Sequence, residues 1–211
     1  VFNTISQSAA DLMTRGGPVM WPLLALSLIS ATLIFERCWY FLRANSPGRM
    51  SRVRAMAKHL RRGDRAAAKA VADADRSLYS RVVDRILAEP ASEAAAVDIV
   101  ESQRPALERF LPTLSTIITV APMLGILGTV LGIIASFELL SDTVTTTDPR
   151  SVSQGIAEAL ITTAAGLVIA IFTLFPYNAL RVQSERTLSA IESLAWAGVG
   201  EKESECKVRD S

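Results

Sequence analysis

The sequence predicts an all-α membrane protein: three transmembrane helices with long helical extensions on the cytoplasmic side. Three observations lead there. First, residues 16–35, 110–137 and 159–180 form blocks without a single charge. Each has about twenty residues or more, which a helix needs at ~1.5 Å per residue to cross ~30 Å of hydrocarbon. Second, 50% of the 211 residues are hydrophobic and 20% charged, so the charges crowd into what lies between the blocks. Third, fifteen of the 22 Lys and Arg residues fall within 37–109, the connection between the first two blocks. Core helices of a globular protein would instead need a larger shell of amphipathic segments than this chain provides.

Residues 1–15 read as an outer, periplasmic segment with Arg15 as its one basic residue. The first span is 16–36. It lacks a basic leader and runs into Phe35, Glu36 and Arg37 without a small-residue cleavage site, so it reads as a retained span rather than a secretory signal. Residues 37–109 read as a cytoplasmic helical loop. Gly63, Ser77 and Pro90 break it around the Ala-rich stretches 64–74 and 78–88, and Asp64 is placed to cap the next helix. From Ser92 the helical pattern resumes and is expected to run as one helix into the second span, 110–137, bent at Pro105 and Pro112. Residues 138–157 form a short periplasmic loop whose one basic residue is Arg150. The third span, 158–180, leads into a cytoplasmic helix and tail, 181–211, with Arg181, Arg186, Lys202, Lys207 and Arg209. Leu180, Thr187, Leu188, Ile191 and Leu194 recur there as an apolar stripe in want of a partner helix. The polar residues 200–211 are expected to fray. Basic residues stay on the cytoplasmic side, so the amino terminus is expected outside and the carboxyl terminus inside.

Composition removes several function classes. A net charge of +1 gives no electrostatic case for nucleic acid. Cys38 and Cys206 lie far apart without metal-ligand spacing, and the single histidine, His59, sits in a basic helical stretch as a solvated surface residue. There is no Gly-x-Ser-x-Gly and no phosphate loop ending in Gly-Lys-Ser/Thr, so no enzyme, metal or cofactor is expected.

The informative residues are the small and polar ones inside the second and third spans. Ser115, Pro122, Gly125, Thr129, Gly132 and Ser136 follow at helical steps and share a face. Ala159, Thr163, Gly166, Ala170, Thr173 and Tyr177 do the same in the third span. Small faces let helices approach closely in lipid, where packing drives association, and Gly128 and Gly132 stand at the Gly-x-x-x-Gly spacing. Two readings stay open: plain helix packing, or faces that meet around an axis. In the second, Thr129, nine residues from Glu138, and Thr163, five from Glu158, lie at similar depth and form a polar collar in an apolar lumen. A threonine can instead bond a carbonyl of its own helix. Glu158 stands at the outer entrance of the third span, either as a proton relay or as an interfacial carboxylate favoured by the helix macrodipole. At 100° per residue it lies about 140° around the helix from Thr163. That places it between neighbouring subunits or at a vestibule rather than in the same narrow lumen.

The run APMLGILGTVLGIIASF at 121–137 resembles the second-span signature of the ExbB/TolQ/MotA proton-channel family, and GIAEALITTAAGLVIAI at 155–171 resembles its third-span signature. GGPVMWPLL at 16–24 and Phe35, Glu36 and Arg37 fit the first span of its ExbB and TolQ branch. The resemblance implies a pentameric ring in the bacterial inner membrane, lined by the second and third spans. It implies a dimer of a single-span, ExbD- or TolR-like partner inside the pore, whose carboxylate binds and releases protons while proton flow turns it. By motif position, Thr129, Glu158 and Thr163 fall on the ion path, with Thr162 an extra hydroxyl; Pro122, Gly125, Gly128, Gly132, Gly166 and Ala170 fall on the packing and pore face.

The charge pattern agrees with an external carboxylate. No span carries an acidic residue at its centre. A proton path driven by membrane potential, worth ~2.3 kcal/mol per charge per 100 mV, needs a titratable group at depth. The alternative function is a structural or scaffold protein whose small faces only pack. A secondary transporter is disfavoured because the spans show no internal repeat.

Overall fold

The computed structural model describes residues 17–44, 47–75, 77–89, 92–141 and 149–209. The expected outer segment 1–15, Pro90 and the centre of the 138–157 connection lie outside the described residues. Among the described residues the chain forms seven α-helices and no strand: α1 (Met20–Ala44), α2 (Pro47–Arg61), α3 (Arg65–Asp73), α4 (Leu78–Ala88), α5 (Glu93–Glu108), α6 (Leu111–Ser141) and α7 (Pro149–Arg209). The helices α1, α6 and α7, of 25, 31 and 61 residues, are long and apolar enough to cross a membrane. The chain divides into two compact units. One comprises residues to Phe35 and Phe110–Asn178, the other Glu36–Arg109 and residues from Ala179.

Helix ends follow local chemistry. Gly17 enters α1 with φ of 65°, and Gly63 closes α2 with φ of 75°, left-handed values that glycine adopts without a side-chain clash. Asp64 caps α3 as expected, its Oδ1 accepting from the Ala67 N–H at 3.0 Å. Ser92 caps α5 likewise, accepting from the Ala95 N–H at 3.1 Å.

Two expectations are corrected. The helix from Ser92 does not run unbroken into the second span: α5 stops at Glu108 and α6 starts at Leu111. Pro112 has no N–H for the Glu108 carbonyl and its ring crowds that carbonyl, so the ladder restarts instead, with the Leu114 N–H on the Phe110 carbonyl at 3.0 Å. Around the 138–157 connection, α6 persists to Ser141 and α7 begins at Pro149, a residue suited to a helix start. At the other end α7 continues to Arg209 rather than fraying at Gly200. Six of the ten residues 200–209 are Glu, Lys or Arg, good helix formers that outweigh the poorer Gly200, Ser204, Cys206 and Val208.

In the second unit the apolar stripe of α7 is the core. Thr187, Ile191 and Leu194 are 0% exposed and Leu180 4%. Buried with them in this unit are Met56 and Leu60 of α2, Tyr79, Val82 and Val83 of α4, and Ile99 of α5. Arg61 Nη2 donates to Ser193 Oγ at 3.3 Å, and Tyr79 is hydrogen-bonded with Thr187.

Burial pushes the Tyr79 phenol above its ordinary pKa, and the Thr187 hydrogen bond offsets part of that. A raised pKa favours the protonated form in the folded state. The associated stability is therefore present below the unfolded value of about 10 and lost as pH rises through the higher folded value. The melting temperature is expected to fall more steeply above about pH 10 in the native chain than in Tyr79→Phe. Equal alkaline slopes in a pH-resolved thermal melt would rule this out.

Candidate functional site

The first unit is built on the contact between α6 and α7. Glycines make it, because each stands where a side chain has no room. A Cβ on Gly125 would lie 2.9 Å from Thr163 Cα, one on Gly132 2.7 Å from Ala159 Cβ, and one on Gly166 2.5 Å from the Ala121 carbonyl oxygen. A Cβ on Gly128 would strike the Thr162 side chain, and one on Gly155 the Ser136 hydroxyl. The two small-residue faces read from the sequence thus meet each other within one chain. Ala121, Ser136, Ala159, Thr162 and Thr173 are buried along the same seam, and Ala170 is 8% exposed.

The hydroxyls divide into two groups. Thr162 is 2% exposed and donates to the Ala159 carbonyl at 2.7 Å, so it fills the seam opposite Gly128. Ser136 donates to the Gly132 carbonyl at 2.8 Å and Thr173 to the Ile169 carbonyl at 2.8 Å, each within its own helix. Thr129 and Thr163 lie at the edge of the seam and are only partly buried. Thr129 Oγ1 donates to the Ile126 carbonyl of its own helix at 2.6 Å. Thr163 Oγ1 reaches across and donates to the Gly125 carbonyl at 2.7 Å. Each hydroxyl has committed its proton to a carbonyl, which leaves its oxygen to act as an acceptor.

The position of α1 leaves the threonine side of the helix pair open. Val19, Met20, Leu23 and Leu26 pack with Ala121 and Leu124 of α6 and with Ala165 and Ile169 of α7. Leu124 is about 140° around α6 from Thr129, and Ala165 and Ile169 are about 160° and 120° around α7 from Thr163. So α1 covers part of the side opposite the two threonines, where Leu131 and Phe172 nevertheless stay 45% and 74% exposed. The helical wheel groups Thr129 with Pro122, Ile126 and Ile133, and Thr163 with Ile156, Leu160 and Leu167. Those Ile and Leu side chains are 42–62% exposed in the single chain. The open side is therefore a wall of aliphatic groups interrupted by two hydroxyls. Glu158 is not on it. Seven residues before Ala165, it shares the face turned toward α1, and its carboxylate accepts from Gln154 Nε2 at 3.3 Å.

The match to known proteins follows this architecture. A model of the MotA/TolQ/ExbB proton channel family fits residues 62–193. The chain belongs to the MotA/TolQ/ExbB proton channel family. It is 34% identical to ExbB-like protein 3 of Synechocystis sp., itself named by likeness, over 84% of this chain and 87% of that one. It is 28% identical to the biopolymer transport protein exbB1 of Vibrio cholerae over 88% of this chain and 85% of the relative. It is 38% identical to the Tol-Pal system protein TolQ of Pseudomonas aeruginosa over 46% of this chain and 41% of the relative. The likeness covers the ExbB/TolQ branch, and with it the class of proton-channel subunits that energise transport.

Sequence reasoning missed Gly155 and Ala121, which complete the seam. The signal was present at Gly155: it lies four residues before Ala159 and eleven before Gly166, and so on the small face of α7.

Proposed function

We propose that this chain is the ring-forming subunit of an inner-membrane motor that couples the proton motive force to mechanical work through a single-span, ExbD- or TolR-like partner. Five copies turn the Thr129 and Thr163 side of the α6–α7 pair toward a common axis, with the amino terminus periplasmic and the carboxyl terminus cytoplasmic. A partner dimer stands in the resulting apolar tunnel and supplies the carboxylate that the centres of this chain's spans lack. The observation that carries this reading is the placement of Thr129 and Thr163 on a side of the helix pair that α1 leaves uncovered.

The chemistry suits the task. An aliphatic wall keeps bulk water and counter-ions out, since charge is costly there. Two oxygens with free lone pairs give a protonated partner carboxyl, or a water carrying the proton, acceptors at one depth. Because those hydroxyls are tied to backbone carbonyls, they hold their place while a guest helix moves past. Thr162, Gly125, Gly128, Gly132 and Gly166 serve the reading indirectly, by keeping α6 and α7 close enough for the two hydroxyls to share a wall. Glu158, turned away from that wall, acts between neighbouring copies or at the outer mouth.

The test compares Thr→Val and Thr→Ser at both positions, with the partner co-expressed. One hydroxyl contributes about 1.5 kcal/mol to a proton-transfer step, or about tenfold in rate. Thr129→Val and Thr163→Val are each expected to lower proton-driven work about tenfold. The serine variants, which keep the oxygen, retain most of it. Native mass spectrometry of the detergent complex is expected to give five copies alone and five plus two with the partner, in valine and serine variants alike. Full activity in both valine variants would reject the ion-path assignment, and a monomer would reject the ring.

A further inference from the structure

A cleft in the second unit carries a separate chemistry that does not depend on the ion path. It has a volume of about 530 Å³ and is lined by Glu36, Trp39 and Arg43 from the last turns of α1, Arg49 from α2, and Ser77 and Arg81 at the start of α4. That volume falls in the roughly 300–1,000 Å³ range of small-molecule sites. Three arginines face one carboxylate, Glu36. Asp75 takes up part of the Arg49 charge, at 3.4 Å, while also meeting Arg52 at 3.5 Å. Arg43 and Arg81 therefore carry the surplus. The Arg43 guanidinium lies over the Trp39 ring, 5.0 Å from its centroid, which fixes its direction without neutralising it.

The second observation is Ser77. It occupies the N-cap position of α4, where a hydroxyl ordinarily accepts from an N–H two or three residues on, yet it makes no such bond. Its side chain is 7% exposed, and its Oγ is buried without a hydrogen-bond partner. Asp64 and Ser92, at the same position of α3 and α5, both make their cap bonds. The 11-residue α4 thus presents an N-terminus without a side-chain cap, with its positive dipole end, beside a hydroxyl with nothing to bond and two arginines. A buried polar atom left in this state in a native fold calls for a partner from outside the chain.

We propose that this cleft binds a phosphate group, seated on the α4 N-terminus and the Ser77 hydroxyl and clamped by Arg43 and Arg81. Phospholipid headgroups and free phosphate both carry that group. The site lies at the end of the apolar α1 beside Trp39 and Tyr40, residue types that sit at headgroup level, which favours the lipid.

The experiment titrates the full-length, detergent-purified protein with phosphatidylglycerol and, separately, with inorganic phosphate, and counts adducts by native mass spectrometry. The variants are Ser77→Ala and the double variant Arg43→Gln/Arg81→Gln. Thermal melts check the fold, where Ser77→Ala is expected to melt as the native chain does because its hydroxyl bonds nothing. Retention of phosphatidylglycerol is expected in the native chain, weakened several-fold in Ser77→Ala and about tenfold in the double variant. If phosphate rather than lipid shows that pattern, the site stands and its source is the free anion. Two results overturn the proposal. One is equal binding of both probes by all three proteins. The other is a loss confined to the arginine variant, because arginines near a bilayer attract acidic lipid without a built site.

Discussion

Replacing Gly166 with leucine is expected to lower the stability of the spanning unit by about 3 kcal/mol, the upper end of overpacking costs. The ground for this is that every obstacle is backbone. A Cβ at position 166 would stand 2.5 Å from the Ala121 carbonyl oxygen, 3.2 Å from its carbon and 3.3 Å from Gly125 Cα. No rotamer change relieves such contacts; α6 and α7 must separate. Separation in turn breaks the Thr163 bond to the Gly125 carbonyl, made at 2.7 Å. Two effects compete in the milder Gly166→Ala. Helix propensity favours alanine over glycine by up to ~1 kcal/mol, whereas overpacking costs ~1–3 kcal/mol, so the net is a loss. Gly48 of α2 isolates the propensity effect, since nothing lies within 4 Å of its Cβ direction. Gly48→Ala is expected to gain ~0.5–1 kcal/mol. Denaturation midpoints in detergent read all three. An unchanged midpoint in both Gly166 variants would show that the seam is looser than described.

Much of this was legible in the sequence because it is local or periodic. A charge-free block predicts a span from length alone, and α1, α6 and α7 follow. Asp64 after Gly63 predicts a cap, and the cap is made. The stripe from Leu180 to Leu194 predicts a buried face from spacing, and the face is buried. Spacing names a face, however, and not what the face meets. The small faces of the second and third spans admitted two readings, packing or an axis. The glycines take the packing place within one chain, while Thr129 and Thr163 at the edge stay open to the other. Thr162 and Thr163 are neighbours in sequence, yet a turn of 100° sends one into the seam and the other to its rim. No composition or pattern distinguishes them without knowing where α6 lies. Asp75 is a similar case. It lies three residues before the start of α4, where no pattern marks it for burial, but is 3% exposed between Arg49 and Arg52. The arginines that bury it come from α2, more than twenty residues earlier.

The other large effect is expected at Leu194. Leu194→Ala should cost the second unit ~2–5 kcal/mol, the range for a fully buried leucine, with the upper half favoured where surroundings cannot collapse. They cannot collapse readily here. Leu194 is 0% exposed and stands on the same stripe as Ile191 at 0% and Ala195 at 1%. One turn on, Gly198 is already so close to the Ile86 side chain that a Cβ there would strike its Cγ2. On the other flank Arg61 is tied to Ser193. The seat of α7 against α2 and α4 is thus pinned on both sides of the cavity that alanine would leave. Since a whole domain is stable by only ~5–15 kcal/mol, such a loss removes a large share of what holds this unit folded. Hydrogen exchange on the full-length protein is the direct reading: the α4 amides, protected only while α7 is seated, should exchange faster by a factor of about 30 or more. Val97→Ala supplies the contrast, because Val97 is 52% exposed and its truncation should stay within about 0.5 kcal/mol. If α4 keeps its protection in Leu194→Ala, the α7 stripe is not the core of this unit, and the burial along it must be supported by the other helices alone.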